Sequence, residues 1–208
     1  LPLWKGQYIR VERKGAKPGK ALSLREIFQI PGAKEIMLCF FCYCGIEQTA
    51  GLWASSFLTL QKGISADTTA SLASMFYLGI TLGRAVCGFI TFKLNDTQMI
   101  RLGQGIIAVG VLALLLPGPN FVAMAGLILI GLGCAPIYPC IIHSTPAHFG
   151  EEKSQAVIGV QMACAYVGSL LLPPLFGLIA NHISAAWLPG YLLVILVLMI
   201  CMHEKLER

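Results

Sequence analysis

Glu47 stands in the stretch YCGIEQTAGLWAS, Tyr43 to Ser55, in the middle of a strongly apolar run. Of the 10 acidic residues, it alone lies deep in apolar sequence; the others fall in polar segments, tails or the ends of apolar runs. In lipid a charge at such depth costs roughly 2.5 to 3.5 kcal/mol, so the carboxylate must face protein or a water-filled space. Burial disfavours the charged form of a carboxyl, which allows such a group to take up and release a proton. The alternative is a protonated or hydrogen-bonded glutamate that ties two helices together. On a helix Tyr43, Gly51 and Ala54 share the face of Glu47, with Ser55 one position further. Gln48 points about 100° away and suits helix contact at least as well as ligand contact.

Other residues carry weaker chemistry. Gln161, in IGVQMACAYVGSLLLPPLFGLIA, shares a face with Cys164, Ala165 and Gly168 and is a second buried polar candidate. Tyr138, in GLGCAPIYPC, can offer its hydroxyl to a solute or anchor at the membrane interface. Together with Tyr43 and Trp53 it suits stacking on a sugar ring. Gly131, Gly133, Pro136 and Pro139 crowd into little more than two turns, a spacing that predicts a broken helix. Gly45 and Gly51 flank Glu47 in a similar way, and interruptions at matching positions of two three-helix units point to a solute site between the units. Gly83-Arg84-x-x-x-Gly88 is a helix-packing motif that carries little weight alone.

Metal and cofactor chemistry find no support. Cys39, Cys42 and Cys44 spread around a helix, without a histidine or a second cysteine pair, and the eight cysteines all fall in apolar runs as small hydrophobes. His143 and His148 flank Thr145-Pro146 without an HExxH pattern or an acidic ligand set, so an enzyme is not indicated.

The elements that must position these residues follow from composition. With 56% hydrophobic and 12% charged residues and a mean hydropathy of +0.74, the 208-residue chain is an all-α, polytopic membrane protein. A helix needs about 20 apolar residues to cross the hydrocarbon core. Six such runs occur, at about Ile36–Leu60, Ala70–Thr91, Met99–Leu116, Phe121–Ile142, Gln155–Ile179 and Trp187–Met202. The fourth is followed by the polar segment HSTPAHFGEEKSQ, expected as a loop, and the last is short for a span.

Basic residues near span ends are retained on the cytoplasmic side. If both ends of six crossings are cytoplasmic, every Lys and Arg falls inside except Lys62, and the imbalance survives removal of the basic segment through Lys34. The net charge of +5 is thus explained by anionic lipid and calls for no nucleic acid. Residues 1–33 are expected to form a cytoplasmic linker, with LPLW as the end of an earlier span. Ser23 to Glu26 fits a capping box opening a short amphipathic helix, with Leu24, Ile27 and Phe28 on one side and Pro31-Gly32 as its stop. Residues 34–203 would be the six-helix bundle and 204–208 a cytoplasmic tail.

The Gly83-Arg84-x-x-x-Gly88 segment with the short basic loop after it resembles the loop signature of the major facilitator superfamily. Phe92 stands where the signature has an aspartate. YCGIEQTAGLWASSFL, GLGCAPIYPCIIHSTPAHFG and IGVQMACAYVGSLLLPPLFGLIA together resemble the C-terminal half of a fucose-permease-like member, over about Leu24 to Leu198. Tyr43, Gly45, Glu47, Gly51 and Trp53 reproduce that family's seventh-helix pattern. The resemblance implies two six-helix bundles built from inverted three-helix repeats, with a small polar solute, a sugar, moved together with protons by alternating access. It supports a seventh-helix substrate or cavity role for Glu47; with the residues read above, the candidate substrate- or proton-binding set is Glu47, Tyr43, Gln161, Tyr138 and Trp53. Gating and helix packing would fall to Gly83, Arg84, Gly88, Pro136 and Pro139. It also implies a bacterial inner-membrane location and an N-terminal bundle as partner. Multidrug or metabolite export by the same fold, and a half-size protein that works by dimerising, are the alternatives.

Overall fold

The computed structural model describes residues 22–116 and 118–208, which form seven α-helices and one 3-10 turn, with no strand among them. The expectations for LPLW and the basic segment through Lys20 lie outside the described residues. The first helix, α1 (Leu24–Phe28), is opened by a capping box: the Ser23 amide donates to Glu26 Oε2 at 2.7 Å, and the Glu26 amide donates to Ser23 Oγ at 3.3 Å. The Ser23 amide, followed by the Ser23 hydroxyl, holds the Glu26 carboxyl below the usual carboxylate range. Ile27 is buried, while Leu24 and Phe28 stay exposed.

Six long helices follow: α2 (Ala33–Lys62), α3 (Ala66–Ile90), α4 (Asp96–Leu115), α5 (Asn120–Phe149), α6 (Glu151–His182) and α7 (Leu188–Leu206), the last preceded by the 3-10 turn Ala185–Trp187. All six are long and apolar enough to cross a membrane. This is an integral membrane protein. Most of the helices outrun the apolar runs that announced them. At 30 residues, α2 and α5 rise about 45 Å against a hydrocarbon core of about 30 Å. Their polar ends are therefore helical in the interfacial zone.

The segment from His143 to Gln155, expected as a loop, is the clearest correction. It is the last turns of α5 and the first of α6, joined by Gly150 alone. Gly150 has φ 79° and ψ 153°, a backbone conformation essentially confined to glycine. The expected breaks at the glycines of α2 and at Pro136 and Pro139 are corrected too, because both helices run unbroken. Gly131 and Gly133 are contacts rather than breakers. A Cβ on Gly131 would strike the Phe76 carbonyl of α3. Gly133 and Gly103 each face the other's carbonyl, as do Gly126 and Gly110 one layer away, so α4 and α5 meet backbone to backbone. Small residues serve in this way wherever lipid supplies no hydrophobic drive between helices.

The packing has an internal exchange. α2, first of the first three long helices, packs most extensively on α6 and α7 of the second three; α5, first of the second three, packs on α3 and α4 of the first. Each three-helix unit thus lends its first helix to the other. At one end of the bundle, ion pairs and histidine–carboxylate hydrogen bonds tie α2, α4, α5 and α7 together. Arg101 grips Glu204 with two bonds of 2.6 and 2.8 Å, Lys205 meets Glu35 at 2.8 Å, His143 meets Asp96 at 2.7 Å, and His148 meets Glu207 at 3.2 Å. The start of α2 and the end of α7 therefore lie at the same face.

Candidate functional site

The site is assembled from α2, α3, α5 and α6. Helical spacing puts Tyr43 one turn before Glu47, and the Tyr43 hydroxyl donates to Glu47 Oε2. Tyr43 is 2% exposed, so its hydroxyl has little access to water and commits to the carboxylate. The ring is held by Phe40, stacked with centroids 6.1 Å apart, and by Tyr138 of α5 at 6.4 Å. Phe40 and Tyr138 are themselves 5.1 Å apart, so three aromatics from two helices fix the donor.

Glu47 opens onto a cavity of about 220 Å³. Cys44 and Gln48 line it from α2, Arg84 from α3 and Tyr138 from α5. Met162, Ala165, Tyr166 and Ser169 line it from α6, one stripe at helical spacing. The Tyr138 hydroxyl points to Met162 Sδ at 3.4 Å, bridging α5 to α6 across the cavity. The hollow therefore holds one carboxylate, one guanidinium, an amide, hydroxyls and aromatic faces. That set can hydrogen-bond a polar solute, stack on a ring and exchange a proton at one defined atom.

Tyr43 meets Glu47 as the spacing implied, and Tyr138 of α5 joins them; Gln161 and Trp53 do not. Gln161 is fully buried and pairs with Thr145 of α5, its amide donating to Thr145 Oγ1 at 3.1 Å. The Thr145 hydroxyl lies 2.8 Å from the Ile141 carbonyl, so Gln161 binds helix to helix. Trp53 donates its Nε1 proton to the Pro173 carbonyl at 3.1 Å and meets Phe176 edge-on at 5.1 Å. It borders a second hollow with Ser56, Pro173 and Pro174, which shares Ser169 with the first. Gln48, as ready for helix contact as for a ligand by sequence, is exposed and lines the cavity.

The packing residues also divide. A Cβ on Gly83 would come 2.5 Å from Ala135 Cβ, so Gly83 is where α3 meets α5; a Cβ on Gly88 would meet nothing within 4 Å. The packing role expected of Gly88 thus has no surface to act on among the described residues. Pro136 is buried where α5 meets Gly103 of α4, and Pro139 borders a separate hollow that reaches Asp96 and His143. Sequence spacing did not find Arg84 as a cavity residue. Its place beside Gly83 tied it to a loop signature, whereas it lines the cavity that Glu47 also lines.

Six apolar helices, four of which line a polar hollow, define a polytopic membrane bundle. The profile of the Major Facilitator Superfamily matches residues 36–204, and the chain belongs to that family. It is 24% identical over 194 residues to the Bypass of stop codon protein 6 of Saccharomyces cerevisiae, covering 88% of this chain and 38% of that protein. It is 22% identical over 168 residues to the glucose/mannose transporter GlcP of Bacillus subtilis, covering 81% and 41%. A crystal structure of the peptide transporter POT in complex with sulfate superimposes with a TM-score of 0.69 at 14% identity, covering 84% of this chain and 38% of that one. The chain spans about two fifths of the length of the relatives it matches.

Proposed function

We infer that this chain is one bundle of a secondary transporter that moves a small polar solute, a sugar, together with a proton by alternating access. The observation that carries this is Glu47, bonded to Tyr43 and opening onto a polar hollow at mid-span. Glu47 is the one carboxyl lining the hollow, which gives the solute and the proton one shared space. The solute would lie between this bundle and an N-terminal six-helix bundle. In support, α3 and α6, which border the hollow, are the least covered long helices, with 22% and 28% of their apolar windows buried against 56% for α2 and α5. The sugar assignment draws on the likeness to the glucose/mannose transporter and on the aromatic wall of the cavity.

Residues 34–203 would act as the C-terminal half of the two-bundle fold, with both ends of the described chain at the cytoplasmic side. A bacterial inner membrane is the location the fucose-permease resemblance supports. The test is proton-coupled uptake by the full-length gene product in proteoliposomes. Glu47→Gln should abolish substrate-driven proton flux while leaving substrate binding measurable. Unchanged proton flux in that variant would overturn the role of Glu47.

A further inference from the structure

Charge balance in the cavity says more about the solute than its size does. Arg84 is the one cation that lines it, and among the described residues Arg84 makes no ion pair. At the bundle's polar end, by contrast, Arg101 and Lys205 are each matched to a carboxylate. Glu47 is the one acid that lines the same cavity, and its Oε2 accepts the Tyr43 hydroxyl. A guanidinium is always charged and presents a planar fork that fits a carboxylate through two parallel bonds.

We propose that the transported solute carries a carboxylate, a sugar acid or similar hydroxy acid, which Arg84 binds while Glu47 holds the co-transported proton. With Glu47 ionised the two cavity charges cancel, and an entering anion makes the site net negative. With Glu47 protonated the empty site is net positive, and the anion neutralises it. Binding of the anion and of the proton therefore favour each other, and the coupling is reciprocal. The groups facing Glu47 are Tyr43 and Cys44 on its own helix, Arg84 on α3, Cys134 and Tyr138 on α5, and Tyr166 on α6. Tyrosine, cysteine and arginine ordinarily ionise on the alkaline side of neutrality, and Glu47 is the one carboxyl among these groups. The hydroxyl oxygens of Tyr138 and Ser169, which line the same cavity, can accept from the solute's own hydroxyls.

The proposal rests on the transporter reading above, and its test separates the two. D-glucuronate and D-gluconate, with D-glucose and D-mannose as neutral controls, are offered to the full-length protein in proteoliposomes between about pH 5 and 8. The carboxylates should be taken up, with apparent affinity rising as pH falls. Glu47→Gln should flatten that pH dependence. Arg84→Gln should weaken carboxylate uptake about ten- to a hundredfold, the scale of a lost charge-assisted bond, and Arg84→Lys should recover part of it. An arginine that only reaches for the membrane interface would tolerate both changes without altering carboxylate uptake, and that outcome overturns the proposal. Uptake confined to the neutral hexoses overturns it while the transporter reading stands. If neither class moves, both fall.

Discussion

Two regions of this bundle handle the absence of water in opposite ways. In the seam between α4 and α5, Gly103 faces Gly133 and Gly110 faces Gly126, so close that a Cβ on any of the four would lie within 3 Å of the opposing backbone carbonyl. In the hollow between α2, α3, α5 and α6, side chains stand back from one another and leave about 220 Å³ around Glu47. The difference teaches where specificity resides. In the seam the two backbones touch, so the two helices behave as one block. The hollow contains a carboxylate and a guanidinium that need partners, so closure there must come from a ligand, a proton or another set of helices.

The sharpest way to break the contrast is to overfill the seam. Gly133→Leu should destabilise the bundle by about 3 kcal/mol, enough to lower the yield of folded protein in detergent, measured by size-exclusion profile and thermal shift. A paired test on one helix comes next. Gly83→Val should cost about 2 kcal/mol because it collides with Ala135, whereas Gly88→Val should change stability by less than about 0.5 kcal/mol. Equal effects of the two would dissolve the distinction between packed and open faces of α3. Third, Gln161→Leu removes a buried bond to Thr145 and should cost about 0.6 to 1.7 kcal/mol without shifting the pH dependence of transport. A change in that dependence would return Gln161 to the site. The smallest effect is expected for Ser169→Ala, which borders both hollows. Its stability should stay within about 0.5 kcal/mol of the parent, while solute affinity falls.

Much of this arrangement can be read from the chain. Six spans follow from length and apolarity, and the Tyr43–Glu47 bond follows from a four-residue spacing. Helix ends were harder, because apolarity stops where the hydrocarbon stops while the helix continues into the interface; the polar residues from His143 to Gln155 mark that difference. Glycine and proline in α5 were ambiguous for a physical reason. The same glycine weakens a lone helix and permits contact with a second, and only the facing helix decides between them. Trp53 and Gln161 have the right chemistry and the wrong direction. Gln161 lies next to the cavity stripe of Met162, Ala165, Tyr166 and Ser169 rather than on it. Arg84 was hidden by the converse problem, since periodicity assigns it a face of α3 but not the helix across from that face.

The pair between Glu35 and Lys205, 2.8 Å apart, brings the entry of α2 beside the exit of α7. Those two points can therefore be spliced. A linker of a few residues from Leu206 to Ala33 would close the six helices into a ring. A new opening at Gly63, in the turn between α2 and α3, would give a permuted chain with the same neighbours in a different order of synthesis. Such a permutant would show whether the exchange of first helices between the two three-helix units needs α2 to be made before α6, or whether the finished packing alone dictates it.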